Sequence, residues 1–139
     1  MKLLKTWTSG SLDTSKEVAH EISEIIRSGD TVLLEGDLGS GKTFFVQHIC
    51  QSWNVINEIT SPTFTIIQNY SGEYNINHFD LYRLEEINEL DQLGWEDFIY
   101  SDAITFIEWP QMIEPLLISY YKMVISIENG NRIIELFKK

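Results

Sequence analysis

The sequence predicts an α/β fold: one sheet with a parallel core and antiparallel hairpin additions, with helices on both faces. Three observations carry this. The β-branched apolar run Thr31-Val32-Leu33-Leu34-Glu35 ends at a glycine-rich stretch that opens into a helical pattern, the order expected of a parallel strand and its crossover. A second run, Ile104-Thr105-Phe106-Ile107, has the unbroken apolar character of a strand buried on both faces. Two turn signals, Ser71-Gly72 and Asn129-Gly130, each sit between strand-like runs and read as hairpins.

The elements follow in order. Lys2 to Ser9 alternates loosely and reads as an edge strand. Thr14-x-x-Glu17 reads as a capping box, followed by Val18, Ile22, Ile25 and Ile26 at helical spacing. Ser28-Gly29-Asp30 stops that helix and leads into the strand at Thr31. Thr43 to Trp53 is helical, and Ser61-Pro62-Thr63 breaks the chain. Phe64 to Tyr70 and Tyr74 to Asp80 form the first hairpin. Leu84 to Tyr100 is acidic and helical, interrupted near Gly94. Ala103 to Ile107 is the apolar strand, and Gln111 to Ile118 reads as a short helix after Pro110. Tyr120 to Ile127 and Arg132 to Phe137 form the second hairpin.

Composition narrows the function. At 139 residues and 43% hydrophobic, the chain suits a single domain, residues 1–139, with a real core. No run approaches a membrane span, and no apolar stretch follows the basic start as a secretory leader needs, so no membrane association is expected. One cysteine, Cys50, excludes an internal disulfide and fits a cytoplasmic location. The net charge of −11, with ten Lys and Arg residues and no cluster larger than Lys138-Lys139, argues against direct DNA or RNA binding as the main activity. Such acidity serves solubility or docking on a basic protein surface.

The chemistry starts at Gly36-Asp37-Leu38-Gly39-Ser40-Gly41-Lys42-Thr43, a complete G-x-x-x-x-G-K-[ST] phosphate-binding loop. Its glycines let successive backbone N–H groups face phosphate oxygens. Lys42 can reach the β- and γ-phosphates, and the Thr43 hydroxyl can ligate Mg²⁺. The next helix points its positive end the same way. The fold class is therefore a P-loop NTPase-like sheet.

Such a loop needs a second acid to hold the metal or order its water, placed at the carboxyl end of a neighbouring strand. Glu108 and Asp80 both end strand-like runs and are the candidate catalytic acids. His78 lies two residues before Asp80, on the same strand face, and reads as a structural histidine because no Cys or His stands near at metal spacing. Arg83 either serves the reaction or pairs with a nearby acid. Ser61-Pro62-Thr63-Phe64-Thr65 falls where P-loop hydrolases place a phosphate-sensing segment. No N-K-x-D sequence exists to read guanine, so an adenine nucleotide is the default expectation. Trp109 follows Glu108 and should flank the site if Glu108 does.

These motifs, taken together and in order, resemble the TsaE (YjeE) family of small bacterial P-loop ATPases. The resemblance rests on the phosphate loop, Ser61 to Thr65, His78-Phe79-Asp80-Leu81-Tyr82-Arg83-Leu84, Leu93-Gly94 and Ile107-Glu108-Trp109, and covers nearly the whole chain. It implies an ATP-hydrolysing accessory protein for threonylcarbamoyl modification of the adenosine beside the anticodon in tRNA. It implies docking on a complex resembling TsaD–TsaB, with tRNA met only indirectly. Carried onto this chain, the loop and Lys42 bind phosphate, Thr43 and Glu108 hold Mg²⁺, and Asp80 serves near the γ-phosphate. Thr14 and Arg132 fall where the family contacts the rest of the nucleotide. Trp95 stands where a smaller aliphatic residue is usual.

Two rivals remain in view. A small-molecule kinase closes a basic lid over the transferred phosphoryl group, and the only arginines, Arg27, Arg83 and Arg132, are a poor supply for one. A nucleotide sensor would bind ATP without cleaving it.

Overall fold

The computed structural model describes residues 1–60 and 66–139. The segment Ser61 to Thr65 lies outside the described residues. Seven strands form a single sheet in the order β1-β7-β6-β2-β5-β4-β3. They are β1 (Lys2–Ser9), β2 (Thr31–Glu35), β3 (Ile67–Ser71), β4 (Asn75–Asp80), β5 (Ile104–Glu108), β6 (Tyr121–Glu128) and β7 (Asn131–Lys138). The helices are α1 (Leu12–Ile25), α2 (Lys42–Gln51), α3 (Ile87–Gln92) and α4 (Trp95–Ile99). Strands β6, β2, β5 and β4 run parallel, while β3 pairs antiparallel with β4, and β7 with both β6 and β1. The expected parallel core with hairpin additions is present.

Burial explains why the parallel strands sit in the middle. Val32, Leu33 and Leu34 in β2, and Ile104, Phe106 and Ile107 in β5, are fully buried, so both faces of these strands are covered. One face packs on α1 and α2 through Val18, Ile22, Phe45, Val46 and Ile49, against Val32, Leu34, Ile104 and Phe106. The other packs on α3 and α4 through Leu90, Trp95 and Ile99, against Leu33, Phe79 and Ile107.

Helix ends account for three differences from the sequence reading. The N-cap of α1 is Ser11, whose Oγ accepts from the Thr14 N–H at 3.1 Å. Thr14 is therefore the third residue of the helix and not its cap: the capping oxygen sits three residues before the N–H it satisfies. Helix α2 begins at Lys42 and stops at Gln51, short of Trp53. The short helix expected over Gln111 to Ile118 is instead two 3₁₀ turns, Pro110–Met112 and Glu114–Leu116. Pro115 has no N–H to donate, which breaks an α-helical ladder there. The interruption near Gly94 divides α3 from α4, with Gly94 at φ 69°. Among the described residues, no helix is long and apolar enough to cross a membrane.

Strand β2 is the middle strand of the sheet, flanked by β5 and β6. The phosphate loop leaves its carboxyl end, and β4 and β5 end beside it at Asp80 and Glu108, which are partners in the parallel ladder. This edge of an open α/β sheet is where ligands bind.

Candidate active site

The loop is packed tightly at its start. A methyl group on Gly36 would come within 2.5 Å of Ser40 Oγ and 2.7 Å of the Ile125 carbonyl oxygen, so only glycine fits between loop and β6. Gly41, the N-cap of α2, sits at φ 107° in the left-handed region. Asp37, Leu38 and Gly39 form the exposed crest. Ser40 is buried, and its Oγ has no hydrogen-bond partner among the described residues. Its carbonyl accepts from Arg132 Nε at 2.9 Å. Arg132 thus holds the loop from the start of β7, where it pairs with Ser9 of β1. Thr14 lies one helical turn beyond that junction and shares its hydroxyl with Ser11 at 2.9 Å.

Lys42 lies under the loop. Its Nζ donates to the carbonyls of Gly36 at 2.5 Å and Asp37 at 3.1 Å, and stands 4.1 Å from the centroid of the Trp109 ring. Burial pulls the amine below its ordinary pKa, opposed by the negative charges of Glu108, Asp80 and Asp37. Trp109 has φ 58°, a left-handed conformation uncommon for a large side chain. Its ring meets Tyr82 on one side, with centroids 4.8 Å apart.

Thr43 and Glu108 come together across 65 residues of sequence. The Thr43 hydroxyl lies 3.1 Å from each carboxylate oxygen of Glu108 and donates to them. Glu108 is 3% exposed, and its Oε2 also accepts from His78 Nε2 at 2.6 Å. His78 is fully buried. It is the buried, partnered histidine the sequence suggests, and its partner is the candidate catalytic acid. Asp80, half-buried, neighbours Glu108 in the ladder and accepts from the Tyr82 N–H at 3.0 Å. Arg27 spends its guanidinium on the carbonyls of Glu24 and Ile26 at the end of α1.

The residues present fit a nucleotide with a hard divalent cation. The loop leaves backbone and one amine for phosphate, while Thr43 and Glu108 offer oxygen donors 3.1 Å apart. Among the described residues no group of three His, Cys, Asp or Glu side chains is gathered for a metal. Mg²⁺ needs one or two protein oxygens, completing its shell with phosphate and water, and the Thr43–Glu108 pair offers such oxygens. Cys50 is buried, and desolvation pushes its thiol up to about 12, so it packs rather than reacts.

Two contributors escaped the sequence reading. Tyr70 reaches His78 Nδ1 with its hydroxyl at 3.2 Å, and Tyr82 backs Trp109. Tyr82 lies within the His78-to-Leu84 stretch already singled out, whereas Tyr70 carried no local signal.

The chain matches known proteins over most of its length. The family model described as threonylcarbamoyl adenosine biosynthesis protein TsaE matches residues 9–134. The tRNA threonylcarbamoyladenosine biosynthesis protein TsaE of Bacillus subtilis is 35% identical over 118 residues, covering 84% of this chain and 73% of that protein. The protein of the same name from Rickettsia conorii is 39% identical over 112 residues, 79% of this chain, and the match spans 63% of that relative's length. The crystal structure of Bacillus subtilis YdiB superposes with a TM-score of 0.76 at 26% identity, covering 98% of this chain and 86% of that one. Sequence and architecture agree, and the chain belongs to the TsaE family of threonylcarbamoyl adenosine biosynthesis proteins.

Proposed function

We propose that this chain binds and hydrolyses ATP with Mg²⁺ as an accessory to threonylcarbamoyl modification of the adenosine beside the anticodon in tRNA, acting on a TsaD–TsaB-like protein complex in the cytoplasm. The observation that carries the reading is the Thr43–Glu108 contact, which joins the end of the phosphate loop to the carboxyl end of a central strand. A loop that only held phosphate would not need a buried carboxylate there.

Each residue then has a task. Lys42 exchanges the carbonyls of Gly36 and Asp37 for phosphate oxygens, moving its amine toward the ligand from its place under Trp109. Charge-assisted bonds of this kind contribute about 1.5–3 kcal/mol. Thr43 keeps its hydroxyl hydrogen on Glu108 and turns its oxygen lone pairs outward. Glu108 holds that geometry and, with Asp80 beside it, orients the attacking water. Mg²⁺, when bound, neutralises charge developing on the phosphate oxygens. Arg132 steadies the loop through Ser40.

Steady-state ATP hydrolysis by the purified chain, with Mg²⁺ and rising concentrations of a TsaD–TsaB complex, tests the proposal. ATP cleavage that rises with partner concentration supports it. Binding without any cleavage, alone or with partner, refutes it in favour of a nucleotide sensor.

A further inference from the structure

Glu108 is held by more than the loop. Its Oε2 accepts from His78 Nε2 at 2.6 Å, while Oε1 meets Thr43 alone among the hydrogen bonds described. The other ring nitrogen of His78 lies 3.2 Å from the Tyr70 hydroxyl, which in turn bonds the Gln68 side chain at 2.5 Å. Four side chains from three adjacent strands therefore form one line, from β3 at the sheet edge, through β4, to the acid on β5. The register builds it: Gln68 is directly opposite His78, and Tyr70, opposite Ile76, is its diagonal neighbour.

The inner members of the line are shut from water. His78 is fully buried and Tyr70 is 7% exposed. An ionised carboxylate only accepts, so Nε2 must carry the hydrogen and the ring cannot turn over without losing its partner. The Tyr70 ring packs beside the imidazole, with centroids 6.0 Å apart. Burial pushes the Tyr70 hydroxyl up to about 12, assisted by Cys50 and Glu108, so it stays an uncharged hydroxyl. Apolar side chains of similar size would fill this space at lower desolvation cost. The bond from His78 to Glu108 instead fixes the rotamer of the carboxylate.

We infer that His78 and Tyr70 are positioning residues: Tyr70 sets the imidazole, and the imidazole fixes Oε2 of Glu108 so that Oε1 and Thr43 meet the metal–phosphate group in one geometry. The inference rests on the ATP–Mg²⁺ site proposed above, and only the kinetic arm of its test also needs hydrolysis.

Tyr70→Phe removes one oxygen far from the loop. His78→Leu removes the donor to Glu108, and His78→Gln returns an N–H near the Nε2 position. The expected results are a drop in kcat of roughly 10-fold for Tyr70→Phe and toward 100-fold for His78→Leu, the range for partners that orient metal-site ligands. KM for ATP should stay within about two-fold, because the loop contacts are untouched. His78→Gln should recover most of the loss. The second arm measures Mn²⁺ binding by electron paramagnetic resonance with a non-hydrolysable β,γ-imido ATP analogue. Mn²⁺ affinity should fall in Tyr70→Phe and His78→Leu and return in His78→Gln, with melting temperatures identifying any variant that does not fold. If the native chain cleaves no ATP, the functional proposal fails, and Mn²⁺ binding still decides the positioning role. Wild-type Mn²⁺ affinity in folded Tyr70→Phe and His78→Leu overturns it.

Discussion

Replacing Glu108 separates stability from chemistry. In Glu108→Ala, His78 Nε2 and the Thr43 hydroxyl lose their acceptor together. His78 is fully buried, so bulk water does not reach its Nε2. An unsatisfied buried donor costs about 1–3 kcal/mol. The missing carboxylate also leaves a void, and at about 24 cal/mol per Å³ a residual hole of about 40 Å³ adds about 1 kcal/mol. The variant should therefore lose about 2–4 kcal/mol. At about 2.1 cal/mol/K per residue, a chain of 139 residues melts about 3–4 °C lower for each kcal/mol lost. Glu108→Ala should melt about 7–14 °C below wild type. Glu108→Gln keeps the shape, and its amide oxygen can still accept from His78, so its melting temperature should stay within about 3 °C of wild type. That variant lacks the charge, so it should bind ATP nearly normally and lose most hydrolysis. Differential scanning calorimetry and single-turnover hydrolysis measure the two effects. Equal melting temperatures for Glu108→Ala and wild type would show that the bonds to His78 and Thr43 do not support the fold. Normal turnover in Glu108→Gln would remove Glu108 from the chemistry.

Four further outcomes are expected. Lys42→Ala should weaken ATP binding by about 1.5–3 kcal/mol in titration calorimetry, and unchanged affinity would sink the loop assignment. Gly36→Ala drives a methyl group against the Ile125 carbonyl, a backbone atom that cannot step aside. It should cost about 1–3 kcal/mol in urea unfolding and abolish tight nucleotide binding. Tryptophan emission should change on adding ATP with Mg²⁺ as Lys42 leaves the Trp109 ring, and Trp109→Phe should remove most of that response; a persisting change assigns it to another tryptophan. Arg27 is committed to its own helix end. Turnover by the isolated chain should be below about 0.1 s⁻¹ and rise with partner complex, so rapid unassisted hydrolysis contradicts this.

What was legible in the sequence was what local spacing can carry. The strand at Thr31–Glu35, both hairpins and the break at Gly94 follow from residue types within a few positions of each other. So does the phosphate loop, whose function requires consecutive residues. Cap positions were harder: Ser11 and Thr14 are both good caps, and only the backbone decides which oxygen reaches the open N–H. The helix expected after Pro110 failed because a second proline five residues on was given too little weight. The bond from His78 to Glu108 was out of reach for a different reason. It spans 30 positions and exists because β4 and β5 are parallel neighbours in one register. Nothing in either strand alone states that pairing. Tyr70 is hidden further still, since its role needs the register of β3 on β4 as well.

The register of β4 and β5 has a consequence for how this site tolerates change. His78 and Asp80 share parity with Ile76, and Glu108 shares it with Ile104 and Phe106, so all three polar residues face α2 with the apolar ones. Inserting one residue in either strand turns its polar groups toward α3 and α4. Inserting two restores the face but carries the acid roughly 6.6 Å along the strand, beyond hydrogen-bonding reach of Thr43. The arrangement is thus a parity code with a fixed word length. Residues added at the hairpin tip between β6 and β7 leave that count untouched. The number of residues between the start of each strand and its terminal acid is the quantity that keeps the acids at the loop.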